Sequence, residues 1–159
     1  MVSYQGNADF IAMCFSMKNR SLASKIIKRL QSEQLRVWIA EKGFSVQRKE
    51  DLERLGQCRT ALILVSRQWL ADELCVGQLK AAAALERQTV LLFLDESDLT
   101  GNEPVQSLLN RSMRMISYQA DSDEWFKELS AMDCITDCRL QEGENPETKK
   151  VSLWSLFRR

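Results

Sequence analysis

The sequence contains no histidine. That absence removes catalytic triads built on an imidazole base and every histidine-ligated metal site. Net charge is missing too: 22 Lys and Arg balance 22 Asp and Glu, so no global field steers the chain to nucleic acid or to an anionic membrane. The apolar run at residues 10–15 is too short for a bilayer span or a signal core, and no basic region precedes it. No Gly-rich phosphate loop follows that run; Met17-Lys18-Asn19-Arg20 stands there instead. A soluble, cytoplasmic protein with neither a transmembrane segment nor a nucleic-acid partner is expected.

What is present begins with five cysteines, Cys14, Cys58, Cys75, Cys134 and Cys138. Their number is odd and several fall inside apolar patterns, where a free thiol packs as a small hydrophobe, so a reducing compartment is expected. Cys134 and Cys138 share a helix face, but an i, i+4 spacing is neither a redox Cys-x-x-Cys nor half of a zinc site, and no metal is expected. A chain of 159 residues carries enough core for one domain without covalent staples.

Short apolar runs alternate with helical periodicity, the pattern of crossover units building a parallel sheet covered on both faces. Strands are expected at 10–15, 35–39, 60–65, 89–94 and 113–117, the third and fourth buried at the centre. The fold class is therefore α/β, a flavodoxin-like, doubly wound, five-stranded parallel sheet with helices on both faces. Leu22, Ile26, Ile27 and Leu30 line one stripe of a first helix whose other side is basic and solvated. A second helix is expected over 48–55, stopped by Gly56 in the left-handed position past a helix end. A third runs from an N-cap at Asp72 to about residue 87, with Gln78 on its apolar stripe and the small residues 81–84 packing closely. Pro104 opens a short helix reaching about residue 110, and a last helix covers 122–132.

The domain is expected at residues 8–138. From residue 139 the composition turns to Gln141-Glu142-Gly143-Glu144-Asn145-Pro146-Glu147, too polar to order itself, so 139–159 reads as a flexible acidic tail. It ends in an apolar and basic cluster in which Leu153, Trp154, Leu156 and Phe157 are candidates for docking on a partner or back on the domain.

One block is more specific than the rest. A strand ending at Leu64-Val65-Ser66 leads through Arg67-Gln68 to Trp69, then to Asp72-Glu73-Leu74-Cys75-Val76-Gly77-Gln78-Leu79. With the first strand and the loop after Trp38-Ile39, this resembles a Toll/interleukin-1-receptor (TIR) domain over about residues 8–133. The match rests on Ser66, Trp69, Cys75 and Leu79. The chain departs from the family at Leu74, where a Trp is usual, and at Val46-Gln47, where Pro-Gly is usual. Phe10 and Cys14 replace an Asp and a Ser in the first box, and Gln78 replaces the glutamate before Leu79.

The resemblance implies one of two activities, NAD cleavage or signalling by contact between TIR domains. Cleaving the nicotinamide–ribose bond develops oxocarbenium character that a carboxylate stabilises by charge. Gln78 supplies none, and losing such a charge costs about 10²-fold or more in rate. On a helix Glu73 points about 140° away from the Gln78 face, and Glu86 lies about 12 Å further along the axis, so neither replaces it. The expectation is a non-catalytic, divergent TIR adaptor or scaffold in innate-immune signalling that self-associates or binds other TIR domains. No catalytic residue and no cofactor is expected; NAD enters only under the alternatives of an NAD-cleaving enzyme or a pseudo-enzyme that holds a nucleotide without turnover. A vestigial pocket would comprise Ser16, Phe44, Ser66, Trp69 and Gln78. Contacts with partners are expected at Phe44, Val46, Arg48, Asp72 and Glu73, in loop 41–48 and helix 72–87. A phosphorelay receiver shares the architecture, but Ser16 and Ser66 stand where its acidic residues would be.

Overall fold

The computed structural model describes residues 1–97, 99 and 101–154. Its strands are β1 (Val2–Tyr4), β2 (Ile11–Cys14), β3 (Val37–Trp38), β4 (Thr60–Val65), β5 (Gln88–Phe93), β6 (Arg114–Ser117) and β7 (Thr148–Lys150). Its helices are α1 (Arg20–Ser32), α2 (Lys49–Gln57), α3 (Arg67–Leu70), α4 (Glu73–Ala84), α5 (Glu103–Gln106), α6 (Glu124–Ser130) and α7 (Asp133–Thr136), with a single 3-10 turn at Met17–Asn19 before α1. Five strands form one parallel sheet in the order β3-β2-β4-β5-β6. This is the doubly wound order expected, and it reverses direction between β2 and β4, the place where such sheets open a crevice.

Strand alternation divides the core into two layers. Ile11, Met13, Leu62, Leu64, Val90 and Leu92 face one side and pack with Ala23, Ile26, Ile27 and Leu30 of α1 and with Trp125, Phe126 and Leu129 of α6. Ala12, Cys14, Ala61, Ile63, Val65 and Leu91 face the other and meet Leu55 of α2 and Cys75, Leu79 and Ala82 of α4. All six residues of β4 are buried, as its central place requires.

Several boundaries differ from expectation. Gly56 does not end its helix: α2 continues to Gln57, and the left-handed glycines are Gly43, Gly101 and Gly143. Helix α4 stops at Ala84 rather than 87, and it is Glu86 that turns the chain with φ 54. The last expected helix, 122–132, is the shorter α6, and beyond it an extended Met132 leads into a further short helix, α7.

The larger difference lies at the ends. The expected loose tail instead supplies β7, which pairs antiparallel with β1 to make a separate two-stranded ribbon. The residues of β7 are themselves exposed, so it is position rather than composition that orders them. Val151 and Leu153 plug the α1-side core at 6% and 0% exposure. Arg36, almost wholly buried, grips Glu144 through two guanidinium nitrogens, which holds the Glu144 carboxyl down at about 2. Ser3 Oγ, in β1, donates to the Ile39 carbonyl at 2.9 Å and accepts the Ile39 N–H at 2.7 Å, saturating the backbone just past β3. Trp154 lies against the Arg20 guanidinium, 4.2 Å from its ring centroid. Leu156 and Phe157 lie outside the described residues.

Candidate functional site

Beyond the carboxyl ends of β2 and β4 stand Ser16 and Ser66, each an N-cap. Ser16 Oγ accepts the Lys18 N–H and Ser66 Oγ the Trp69 N–H, so both hydroxyls start the turns that follow their strands. Ser66 also donates to Asn19 Oδ1 at 2.6 Å, tying the two strand ends together.

Trp69, wholly buried, donates its indole N–H to Gln78 Oε1 at 3.0 Å. Gln78 is 2% exposed, and its Nε2 points at the carbonyls of Phe15 (3.4 Å) and Phe44 (3.5 Å). The neighbours leave no choice of orientation, since an indole N–H only donates and a carbonyl only accepts. One amide thus joins the end of β2, the loop after β3, α3 and α4. A carboxylate in its place would keep the indole bond and set an anion against two carbonyl oxygens.

Loop 40–48 is held from several sides. Gly43 has φ +76, the left-handed region that favours glycine, and a Cβ there would come 2.9 Å from Met17 Sδ, so the Met17 side chain would have to shift as well. Phe44 is turned inward, 9% exposed and edge-on to Trp38 at 6.1 Å. Val46 packs over α4, where a Cβ on Gly77 would lie 3.4 Å from Val46 Cγ2. Arg48 Nη1 donates to the Gly43 carbonyl and to Asp51 Oδ2, and Asp51 Oδ2 also accepts the Ser45 N–H. Burial pushes the Asp51 carboxyl up despite those two partners.

The five residues read as a pocket are therefore gathered in one place, but as a buried, hydrogen-bonded floor. The open crevice above them, about 650 Å³, is lined by Lys18, Arg67, Gln68, Asp72, Glu73 and Leu74. Asp72 is engaged there as the N-cap of α4, accepting the Leu74 N–H at 2.9 Å. Of the residues read as an interface, Asp72 and Glu73 are exposed, Val46 and Arg48 half-buried and Phe44 buried. Two residues central to this floor escaped the sequence reading, Asn19 and Asp51. Only the preference of Asn for turns and of Asp for helix starts marks them, a signal common to many surface positions. Among the described residues no group of three or more His, Cys, Asp or Glu is placed to hold a metal, and no helix is long and apolar enough to cross a membrane.

The chain is thus a doubly wound parallel sheet whose switch-point end is closed by a floor of Ser66, Trp69 and Gln78. Comparison with known families agrees: the TIR domain profile matches residues 11–131. The chain belongs to the TIR domain family, and TIR-type signalling is its general role. None of the curated proteins matches it.

Proposed function

We propose that this domain is a non-catalytic TIR adaptor or scaffold that acts in the cytoplasm by homotypic contact, in innate-immune signalling. The observation that carries the reading is the state of Gln78. Its side chain is buried, both ends of its amide are engaged, and the same residue anchors loop 40–48 to α4. A side chain in that state has no free group to offer a ribose; Asp72 is committed to its helix cap, and Glu73 points about 140° away from the Gln78 face of α4. The interface is assigned to the outer surface of loop 41–48 and the start of α4. Val46, Arg48, Asp72 and Glu73 form it, and Phe44 shapes it from beneath.

Sedimentation of the purified domain over rising concentration, alone and with Glu73→Lys, tests this. Glu73 is exposed and makes no ion pair among the described residues, though it is the acid in the first turn of α4, so a loss of association in a variant whose thermal midpoint falls by only a few degrees reports contact and not unfolding. A chain that stays monomeric and binds no TIR domain sinks the proposal. The rival reading, an NAD-cleaving enzyme, predicts nicotinamide release by the unmodified chain, and robust turnover in that assay would replace this reading with it.

A further inference from the structure

The two edges of the main sheet are treated differently. Beyond β3 the ribbon of β1 and β7 stands guard, and the Ser3 hydroxyl occupies both backbone groups of Ile39. Among the described residues, strand β6 has a neighbouring strand only on its β5 side. Tyr118 donates its N–H to the Phe93 carbonyl, and Phe93 is in register with Ser117. In a parallel ladder alternate residues bond the same neighbour, so Arg114, Ile116 and Tyr118 face β5 while the N–H and C=O of Met115 and Ser117 point outward. An open edge of this kind is a template for another strand. Its central side chain, Met115, is 58% exposed.

Beside the edge runs a trough of about 800 Å³ lined by Arg111, Arg114, Met115, Met132, Glu128 and Asp133, among others. The two arginines and two acids make no ion pair or side-chain hydrogen bond among the described residues. Two cations and two anions left unpaired on one surface complement the same surface turned through a two-fold axis. That symmetry selects a second copy of this chain over a peptide of single-signed charge.

We propose that β6 pairs antiparallel with β6 of a second copy. The contact is an isologous dimer centred near Met115, with Arg111 and Arg114 of each copy facing Glu128 and Asp133 of the other. Because the opposite edge is closed by Ser3 and the ribbon, sheet extension stops at two. This surface is separate from loop 41–48 and the start of α4, and it rests on the reading of the domain as self-associating.

Met115→Pro tests it at one atom. The substitution deletes an outward N–H that the ladder to β5 does not use, in an edge strand where proline is tolerated. Dimer association is expected to weaken about tenfold or more, two hydrogen bonds being lost per dimer. The thermal midpoint of the monomer reports whether the strand survives. Should the proline variant misfold, Met115→Lys keeps the backbone and sets two like charges face to face, and it is expected to dissociate the dimer likewise. Arg114→Glu with Glu128→Arg, a charge exchange, is expected to restore what Arg114→Glu alone loses. A native chain that dimerises with affinity unchanged in both Met115 variants overturns the edge pairing and leaves self-association standing. A native chain that is monomeric at every concentration overturns both.

Discussion

Gln78→Glu separates a keystone amide from a disabled catalytic residue, because the site sets a ceiling on what the substitution costs. The incoming carboxylate faces the carbonyls of Phe15 and Phe44 in a site 2% exposed. Desolvation and those oxygens both oppose its charge, so its pKa rises in the folded state. The variant always has the option of folding with the acid protonated. At pH 7 that costs at most about 3.7 kcal/mol, the gap from about 4.3 to pH 7 at about 1.4 kcal/mol per unit. A protonated acid has one donor for two carbonyls, so one bond is lost, worth about 1 kcal/mol. The deficit at pH 7 is therefore bounded at about 5 kcal/mol, a fall of roughly 10–20 °C in midpoint for a domain of this size.

The pH dependence follows from the sign. The folded pKa lies above the unfolded one, so the deficit is smallest below about pH 4.3 and grows as pH rises toward the folded value. Urea unfolding of both proteins from pH 4.5 to 7.5, followed by tryptophan fluorescence, measures it. Nicotinamide release by the variant is expected to stay at background, since an acid held neutral brings no charge to an oxocarbenium ion. A deficit under about 1 kcal/mol at pH 7, or one that does not change between pH 5 and 7, refutes the buried-amide account. So does NAD turnover gained with no loss of stability.

Other outcomes follow from single contacts. Ser3→Ala removes the hydroxyl that serves both backbone groups of Ile39; a loss of about 1–3 kcal/mol is expected, with faster amide exchange at Ile39 as the local sign. Arg36 holds the Glu144 carboxyl at about 2, so the ribbon keeps this contribution above pH 4.5, the unfolded value, and loses it as pH falls toward 2; in Glu144→Gln, exchange at Thr148–Lys150 should show no such acid-side rise. All five cysteines are buried and unpaired, and burial pushes the Cys75 thiol up to about 11 and the Cys58 thiol up to about 12. Labelling by a thiol reagent at pH 8 is therefore expected to be slow in native protein and to go to completion only in urea, and a rapidly reacting thiol would contradict the packing.

The sheet was legible because its signals are local and redundant. Behind Thr60 and Thr89, residues 61–65 and 90–94 are continuous apolar runs, and β4 and β5 lie within one residue of the expected 60–65 and 89–94. The ribbon was not legible because its cause is remote. Thr148–Lys150 is wholly exposed and carries no apolar pattern; what orders it is a partner more than 140 residues away in sequence and the Arg36–Glu144 pair, neither of which composition registers. Gly56 misled for a related reason. A glycine near a helix end favours termination, yet α2 gained another residue of helix and kept Gly56 out of the left-handed region, since a propensity of about 1 kcal/mol yields to packing.

Gln78 shows where a sequence comparison stops and geometry takes over. Read as a letter, Gln for Glu is a loss, a charge removed from a catalytic position. Read in place, the same amide does what no carboxylate can, because it donates and accepts at once, and the site offers one donor, the Trp69 indole, and two acceptors. On the proposed reading, the amide binds the loop after β3 to α4 and so stiffens the surface assigned to partner contact. Rigid presentation lowers the ordering cost of association, so the change that argues against catalysis is the same change that favours assembly. Gln78→Met separates the two effects. It restores no charge, leaves the Trp69 N–H buried and unpaired, and is expected to weaken self-association through the loop while leaving Met115-dependent pairing intact. Equal weakening of both contacts would mean that Gln78 only holds the fold together.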